Sequence, residues 1–343
     1  MHMADALISP ATGGLMWAAT AGLITYCSTK AKNDLDDTKV PLMGVLGAFI
    51  FAAQMINFTI PATGSSGHLG GGLILAILLG PSAAFLTMAS VLTIQAFFFA
   101  DGGLLALGCN IFNLGFFPCF IAYPLIYKKI VGMRPTKGRI LTASLIAGVV
   151  GLQLGAFSVV LETVFSSISE LPFNTFILMM LPIHLGIGIV EGLATAAVVL
   201  FVFKARPEIL NAASQSRPLG NLSINHVLAS LLGVAIITGG ALSWFASAHP
   251  DGLEWSMAKV SGTEELENPE HGIHASLSGI QEHTAFLPDY AFKTAHGEEG
   301  DMESETAWPA VDAGTSLSGL VGGTLTLFIA ALIGFSVKRR KNA

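Results

Sequence analysis

The chain is a succession of long apolar stretches separated by short polar ones. A helix that crosses a bilayer needs roughly 20 apolar residues. On that basis the pattern predicts segments at about 6–27, 40–58, 69–79, 82–99, 104–127, 140–164, 175–203, 226–246 and 316–337. The third is half-length and ends at Gly80-Pro81, where proline stops one helix and starts the next. The alternating pattern of a membrane barrel is absent, and no period of 20–50 residues suggests a solenoid. The fold class this predicts is an all-α polytopic membrane protein of about nine transmembrane segments.

Charge orients the segments. Lys30, Lys32 and Lys39 follow the first one, and Lys128, Lys129, Arg134, Lys137 and Arg139 follow the fifth. Lys204, Arg206 and Arg217 follow the seventh, and Lys338, Arg339, Arg340 and Lys341 close the last. Basic loops stay in the cytoplasm, so the amino terminus is expected outside and the carboxyl terminus inside. The stretch 247–315 then falls outside; it holds fourteen Asp or Glu against Lys259 and Lys293, and five of nine histidines (His249, His271, His274, His283, His296). Such a stretch either concentrates cations near an opening or, as the plainer reading has it, is a solvated surface.

Composition narrows the class further. With 52% hydrophobic and 12% charged residues, the 343-residue chain lies outside soluble norms. It is expected in the cell inner (cytoplasmic) membrane, with the lipid bilayer and no nucleic acid as surroundings. No basic residue precedes Lys30, so no secretory signal peptide is expected. Cys27, Cys109 and Cys119 sit in or beside apolar stretches and form no CxxC pair. Three regions are expected: 1–205 as a membrane domain, 206–225 as a polar cytoplasmic linker, and 226–343 as a two-helix module with an acidic extracytoplasmic loop.

The candidate chemistry lies at the start. A free amine on Met1 and the amide and imidazole of His2 close a five- and then a six-membered ring around one metal ion. A second imidazole makes four nitrogens in a plane, which Ni(II) and Cu(II) favour. Most second-position histidines sit in frayed termini, so the feature gains weight only from the rest of the chain. The loop ATGSSGHLGGG supplies His68, on the same side of the membrane by the charge argument. Its glycines allow close backbone approach, here expected from the amino-terminal peptide; the alternative is a flexible turn with an incidental His. Asp5 and Asp101 are candidates to orient a ligating imidazole, although Asp5 serves equally as a helix amino-terminal carboxylate. Asn110 and Asn113 either bond neighbouring helices or fix the terminal peptide, the structural role being preferred for Asn113. His184 and Glu191, seven apart on one helix face, either line a metal route or, as preferred, pair with polar groups such as Gln153 or Glu162. Ala18 and Gly22 suit contact with a transmembrane partner.

The segments MHMADALIS and INFTIPATGSSGHLGGGLILAILLGPSAAFLTMASVLTIQAFFFADGGLLALGCNIFNLG, in that order, resemble the NikM/CbiM family, the nickel/cobalt substrate-binding (S) component of energy-coupling factor transporters. The resemblance covers about residues 1–205. It implies seven helices there and a metal held by the Met1 amine, the His2 amide and imidazole, and His68. PDGLEW at 250–255 and PDYAFK at 288–293 resemble, more loosely, the NikN/CbiN partner subunit fused on. The resemblance implies that the substrate is Ni(II), or Co(II) by the same mechanism, and that no organic cofactor takes part. It also implies a transmembrane coupling (T) component and cytoplasmic ATPase subunits as partners, since this chain has no P-loop motif of its own. Two other classes compete: an intramembrane metal- or haem-dependent enzyme using His184 and Glu191, and a vitamin-binding component indifferent to the amino terminus. Neither accounts for MH and GH on one membrane face, and no HExxH occurs.

Overall fold

The structure, a computed structural model, describes residues 2–293 and 308–338. Met1, His296, Arg339, Arg340 and Lys341 lie outside the described residues. The head of the chain comprises α1 (Pro10–Ala31), α2 (Lys39–Gln54), strands β1 (Phe58–Ile60) and β2 (Ser65–Gly67), α3 (Gly72–Leu79) and α4 (Pro81–Phe99). It continues through α5 (Leu107–Val131), α6 (Lys137–Ser166) and α7 (Phe173–Ala205). After a short α8 (Pro207–Ser214) come α9 (Asn225–Gly240), α10 (Gly252–Ser261), α11 (Ile273–Thr284) and α12 (Ala313–Val337).

Five of these, α4, α5, α6, α7 and α12, are long and apolar enough to cross a membrane, while α2 and α9 are shorter apolar helices. Leu178, Leu185, Ile189 and Leu193 form an exposed apolar stripe on α7, and Phe328 and Leu332 do so on α12. In lipid these faces meet hydrocarbon rather than water. The eight-residue α3 is buried throughout and ends at Gly80, whose φ of 84° a side chain disfavours; Pro81 then opens α4. The first helix begins later than the apolar run suggests. Ser9 caps it by accepting from Thr12 N, with Pro10 at its first position, so residues 2–8 are left as a terminal peptide with one 3-10 turn, Asp5–Leu7.

Lys39 departs from its expected place among exposed loop charges. It is buried, with Nζ 2.9 Å from Asp34, because an unpaired buried charge is costly. Within α5, Pro118 and Pro124 interrupt the hydrogen-bond ladder, and Phe112–Tyr127 is wound as a π-helix. The carboxyl-terminal helices do not stand apart: α12 packs on α2 and α4, and α9 on α2 and α12.

Candidate metal centre

The terminal peptide is clamped in place. Asn110 on α5 takes a bond from Met3 N through Oδ1 (2.8 Å) and returns one from Nδ2 to the Met3 carbonyl (3.1 Å). Gly103 N donates to the same carbonyl (2.9 Å). Asp5 accepts from Ala106 N (2.9 Å), so it anchors the peptide to the 101–106 turn and touches no imidazole, unlike one of its expected roles. Asp101 does face a ring, its Oδ1 lying 3.3 Å from His2 Nδ1.

His2 and His68 meet directly, stacked with ring centroids 5.0 Å apart and planes inclined by 20°. The Leu69 carbonyl accepts from His68 Nδ1 (3.0 Å), which makes Nε2 the acceptor atom of that ring; Asp251 Oδ2 lies 4.0 Å from it. Burial lowers the pKa of His2 and pushes that of His68 down to about 3. Both imidazoles are therefore neutral near pH 7, the form that binds metal. Among the described residues no group of three His, Cys, Asp or Glu side chains is placed to hold a metal. Two imidazoles need further donors from elsewhere, and amine and amide nitrogens are of that kind.

Among the described residues, the glycines of the His68 loop face neighbouring helices rather than the terminal peptide, unlike the expected approach. A Cβ at Gly67 would meet Ile187 on α7, and one at Gly72 would meet Leu114 and Pro118 on α5. The clearance beside the peptide comes from Gly102 and Gly103 instead. A Cβ at Gly103 would collide with the Asp5 carboxylate, and Gly102 has a φ of 82°.

Glu191 and His184 take partners other than Gln153 or Glu162. Glu191 accepts from Gly70 N (2.9 Å) and Gly71 N (3.0 Å), holding the His68 loop from below. His184 Nδ1 bonds the Met180 carbonyl one turn back (2.8 Å). Gln153 donates to the Leu181 carbonyl instead, while Asn113 Nδ2 bonds Glu162 (2.7 Å).

The acidic stretch is more than a solvated surface. The Pro250 carbonyl accepts from Ser66 N (2.8 Å) and the His249 carbonyl from Ser66 Oγ (2.7 Å), pinning the strand that leads to His68. Asp251 caps α10 in a reciprocal capping box with Glu254. Burial resists the Asp251 charge, yet its carboxyl stays below the ordinary range, the Glu254 N–H being among the groups that favour the charged form; burial, reinforced by Asp251, lifts Glu254 to about 7. At Gly252 a Cβ would lie 2.8 Å from Ile183 Cγ2 and 3.0 Å from His184 Cε1, so only glycine lets α10 sit this close to α7. Further along, His274 bonds the Ile8 carbonyl (2.9 Å) and Tyr290 donates to Asp101 (2.5 Å). Between this cover and the imidazoles lies a cavity of about 520 Å3 lined, among the described residues, by seven carboxylates, Asp5 and Asp101 from the head and Asp251, Glu254, Glu264, Glu265 and Asp289 from the tail, and by no Lys or Arg.

The fold and the site define a class: a polytopic helical membrane protein with paired neutral imidazoles beside a clamped amino-terminal peptide. Residues 2–209 match the family described as cobalt uptake substrate-specific transmembrane region, and residues 225–339 match the PDGLE domain. The chain belongs to this CbiM family and carries a PDGLE region fused to it. A protein of Archaeoglobus fulgidus provisionally named a fused nickel transport protein, NikMN, is 31% identical over 99% of this chain and 98% of its own length. One of Haloquadratum walsbyi, provisionally named a metal transport protein, is 38% identical over 61% of this chain and 93% of its own. Among solved structures, a truncated transition metal transporter aligns with a TM-score of 0.53 at 32% identity, over 60% of this chain and 99% of that one.

Sequence reasoning offered an imidazole for Asp101 and the terminal peptide as one partner for Asn110, and these contacts are present; it offered Gln153 or Glu162 for His184 and Glu191, which bond other groups. It missed Asp251 and Gly252 as site residues, although Asp-x-x-Glu ahead of an apolar turn is a legible capping box. It also missed Gln54 and Gln95, lone polar residues in apolar stretches.

Proposed function

We propose that the chain is the substrate-capture subunit of an energy-coupling factor importer, binding Ni(II) through the Met1 amine, the His2 amide and imidazole, and the His68 imidazole. The observation that carries this reading is the stacking of His2 on His68 beside a terminal peptide gripped at residue 3. Such a grip at residue 3 holds His2 in place, so the chelate forms at a lower entropy cost than ordering a loose end would carry. Binding releases the amine and amide protons, driven by the charge of the ion. The carboxylate-lined cavity draws a cation toward the rings, and four nitrogens in a plane suit Ni(II) better than oxygen-seeking Mg(II) or Ca(II). Co(II) is the second reading, favoured by the description of the matching family. ATP-driven uptake then depends on separate ATPase subunits and a transmembrane coupling protein in the cytoplasmic membrane, since the chain contains no Gly-Lys P-loop signature.

Metal content of the purified protein tests the reading, measured beside His2→Ala and a form with one residue added before Met1. Near-stoichiometric nickel in the unaltered protein, lost in both variants, is the expected result. Nickel retained by the extended form refutes the amino-terminal chelate.

A further inference from the structure

Two glutamines join the segments that carry the two imidazoles. Gln54, the last residue of α2, donates from Nε2 to the Gly70 carbonyl in the His68 loop (2.9 Å). Its Oε1 accepts from Gln95 Nε2 on α4 (2.9 Å). A side-chain amide keeps its donor and acceptor on different atoms. The Gly70 carbonyl thus sets the orientation of Gln54, Gln54 sets that of Gln95, and Gln95 is left presenting Oε1. That oxygen and His2 Nε2 are both buried, and neither has a hydrogen-bond partner among the described residues. The Gln95 side chain is near enough to the His2 ring to act on it, and the other ring nitrogen, Nδ1, is the one facing Asp101 at 3.3 Å.

We propose that Gln95 is a positioning residue of the metal centre: its Oε1 accepts from His2 Nε2–H and so commits the Nδ1 lone pair to the ion, while Gln54 ties that choice to the loop bearing His68. The chelate needs this tautomer. Nδ1 is the ring nitrogen that closes a six-membered ring with the His2 amide, whereas Nε2 points away from the backbone. An acceptor beside Nε2 keeps the ring proton there when the ion takes the place of any proton on Nδ1. The same bond makes the imidazole a stronger donor, as partners of metal-bound histidines generally do. Because the Gly70 carbonyl starts the chain of bonds, a displaced His68 loop would also release Gln95, so both imidazoles are set together. This inference rests on the proposed amino-terminal chelate.

The test is nickel affinity, by competition with a chelator, and the ligand-field absorption of the loaded full-length protein for Gln95→Leu and Gln95→Glu. Gln95→Leu is expected to weaken binding about 10- to 100-fold, the usual cost of losing such a partner. Gln95→Glu keeps an oxygen acceptor toward His2, so it is expected to recover most of that loss and to move the absorption band to shorter wavelength. A merely structural role makes Glu, a charge placed beside Gln54 Oε1, at least as harmful as Leu. Wild-type affinity in Gln95→Leu, or equal damage in both variants with the band unmoved, overturns the proposal. Should Gln95→Leu fail to fold, the band position in Gln95→Glu decides alone. His2→Ala, run alongside, separates the two ideas: nickel retained there refutes the chelate itself, whatever the glutamine variants do.

Discussion

Proton release gives the sharpest check on the donor set. The perturbation is pH, and the magnitude follows from the state of each proposed donor before the ion arrives. The amine, with an ordinary pKa of about 7.7–8.0, carries a proton at pH 6–7 and must lose it. The amide loses one at any pH. Burial keeps His2 below its ordinary value and His68 at about 3, so near pH 7 the imidazoles release none. Two protons leave per ion, and apparent affinity should fall about 100-fold for each unit of pH between roughly 7 and 6, some 2.7 kcal/mol at 1.36 per proton. Above the amine pKa the slope should ease to one. The assay is the apparent dissociation constant for nickel across this range, corrected for protonation of the competing chelator, with proton release measured by calorimetry in two buffers. A slope of three or more near pH 6 means an imidazole that starts protonated, and refutes the buried, neutral pair. A slope of one at pH 6–7 means the amide keeps its proton, and refutes the chelate. The metal-free fold should show the matching sign. The folded-state pKa of His68 lies below the ordinary 6.5, so the stability linked to it is complete above 6.5 and is lost as pH falls from there toward 3.

Other substitutions test the supports. Gly103→Ala puts a methyl into the Asp5 carboxylate and should abolish nickel retention, whereas Gly14→Ala, where a Cβ meets nothing within 4 Å, should leave it intact; metal content after desalting distinguishes them. Glu191→Leu leaves the buried Gly70 and Gly71 N–H without their acceptor, and at about 1–3 kcal/mol for each unsatisfied donor it should weaken nickel binding at least tenfold in the chelator competition. Gly252→Ala should lift α10 off Ile183 and His184, seen as faster amide exchange across residues 250–261; unchanged protection there would refute the close packing.

The apolar runs made the helices legible, and Gly80-Pro81 alone announced the half-length α3. The start of α1 was legible too, but in a different code: Ser9-Pro10 is a cap and first-turn signal, while the apolar run continues upstream into Ala6, Leu7 and Ile8. Those residues are buried because the peptide is laid into the site, and hydropathy does not separate a peptide buried in protein from a helix buried in lipid. His2 and His68 were legible because two chemically special positions shared one face. Asn110 was legible as one candidate to fix the terminal peptide, but Gln95 and Asp251 were not, since they come from distant stretches that only the packing of α4 and α10 brings to the site. The glycine-rich loop misled for a related reason: clearance is visible in sequence, but the group that fills it is not.

The PDGLE segment shows why a second module belongs to the site. Each of its residues meets a separate demand. The Pro250 carbonyl completes Ser66, Asp251 caps α10 and approaches His68, Gly252 provides clearance beside His184, Leu253 is buried, and Glu254 closes the capping box. Without this segment the Ser66 N–H and the His68 ring would meet water; burial is the largest cause of the low His68 pKa and outweighs the opposite pull of Asp251, so losing both should raise it. The neutrality of His68 is therefore a property of the two regions together. A head truncated before residue 225 should bind nickel with a steeper dependence on pH near 6 than the full chain, because its His68 takes up a proton that the covered site refuses. Equal slopes in the two forms, read in the same competition assay, would mean that α10 covers the loop without governing its chemistry.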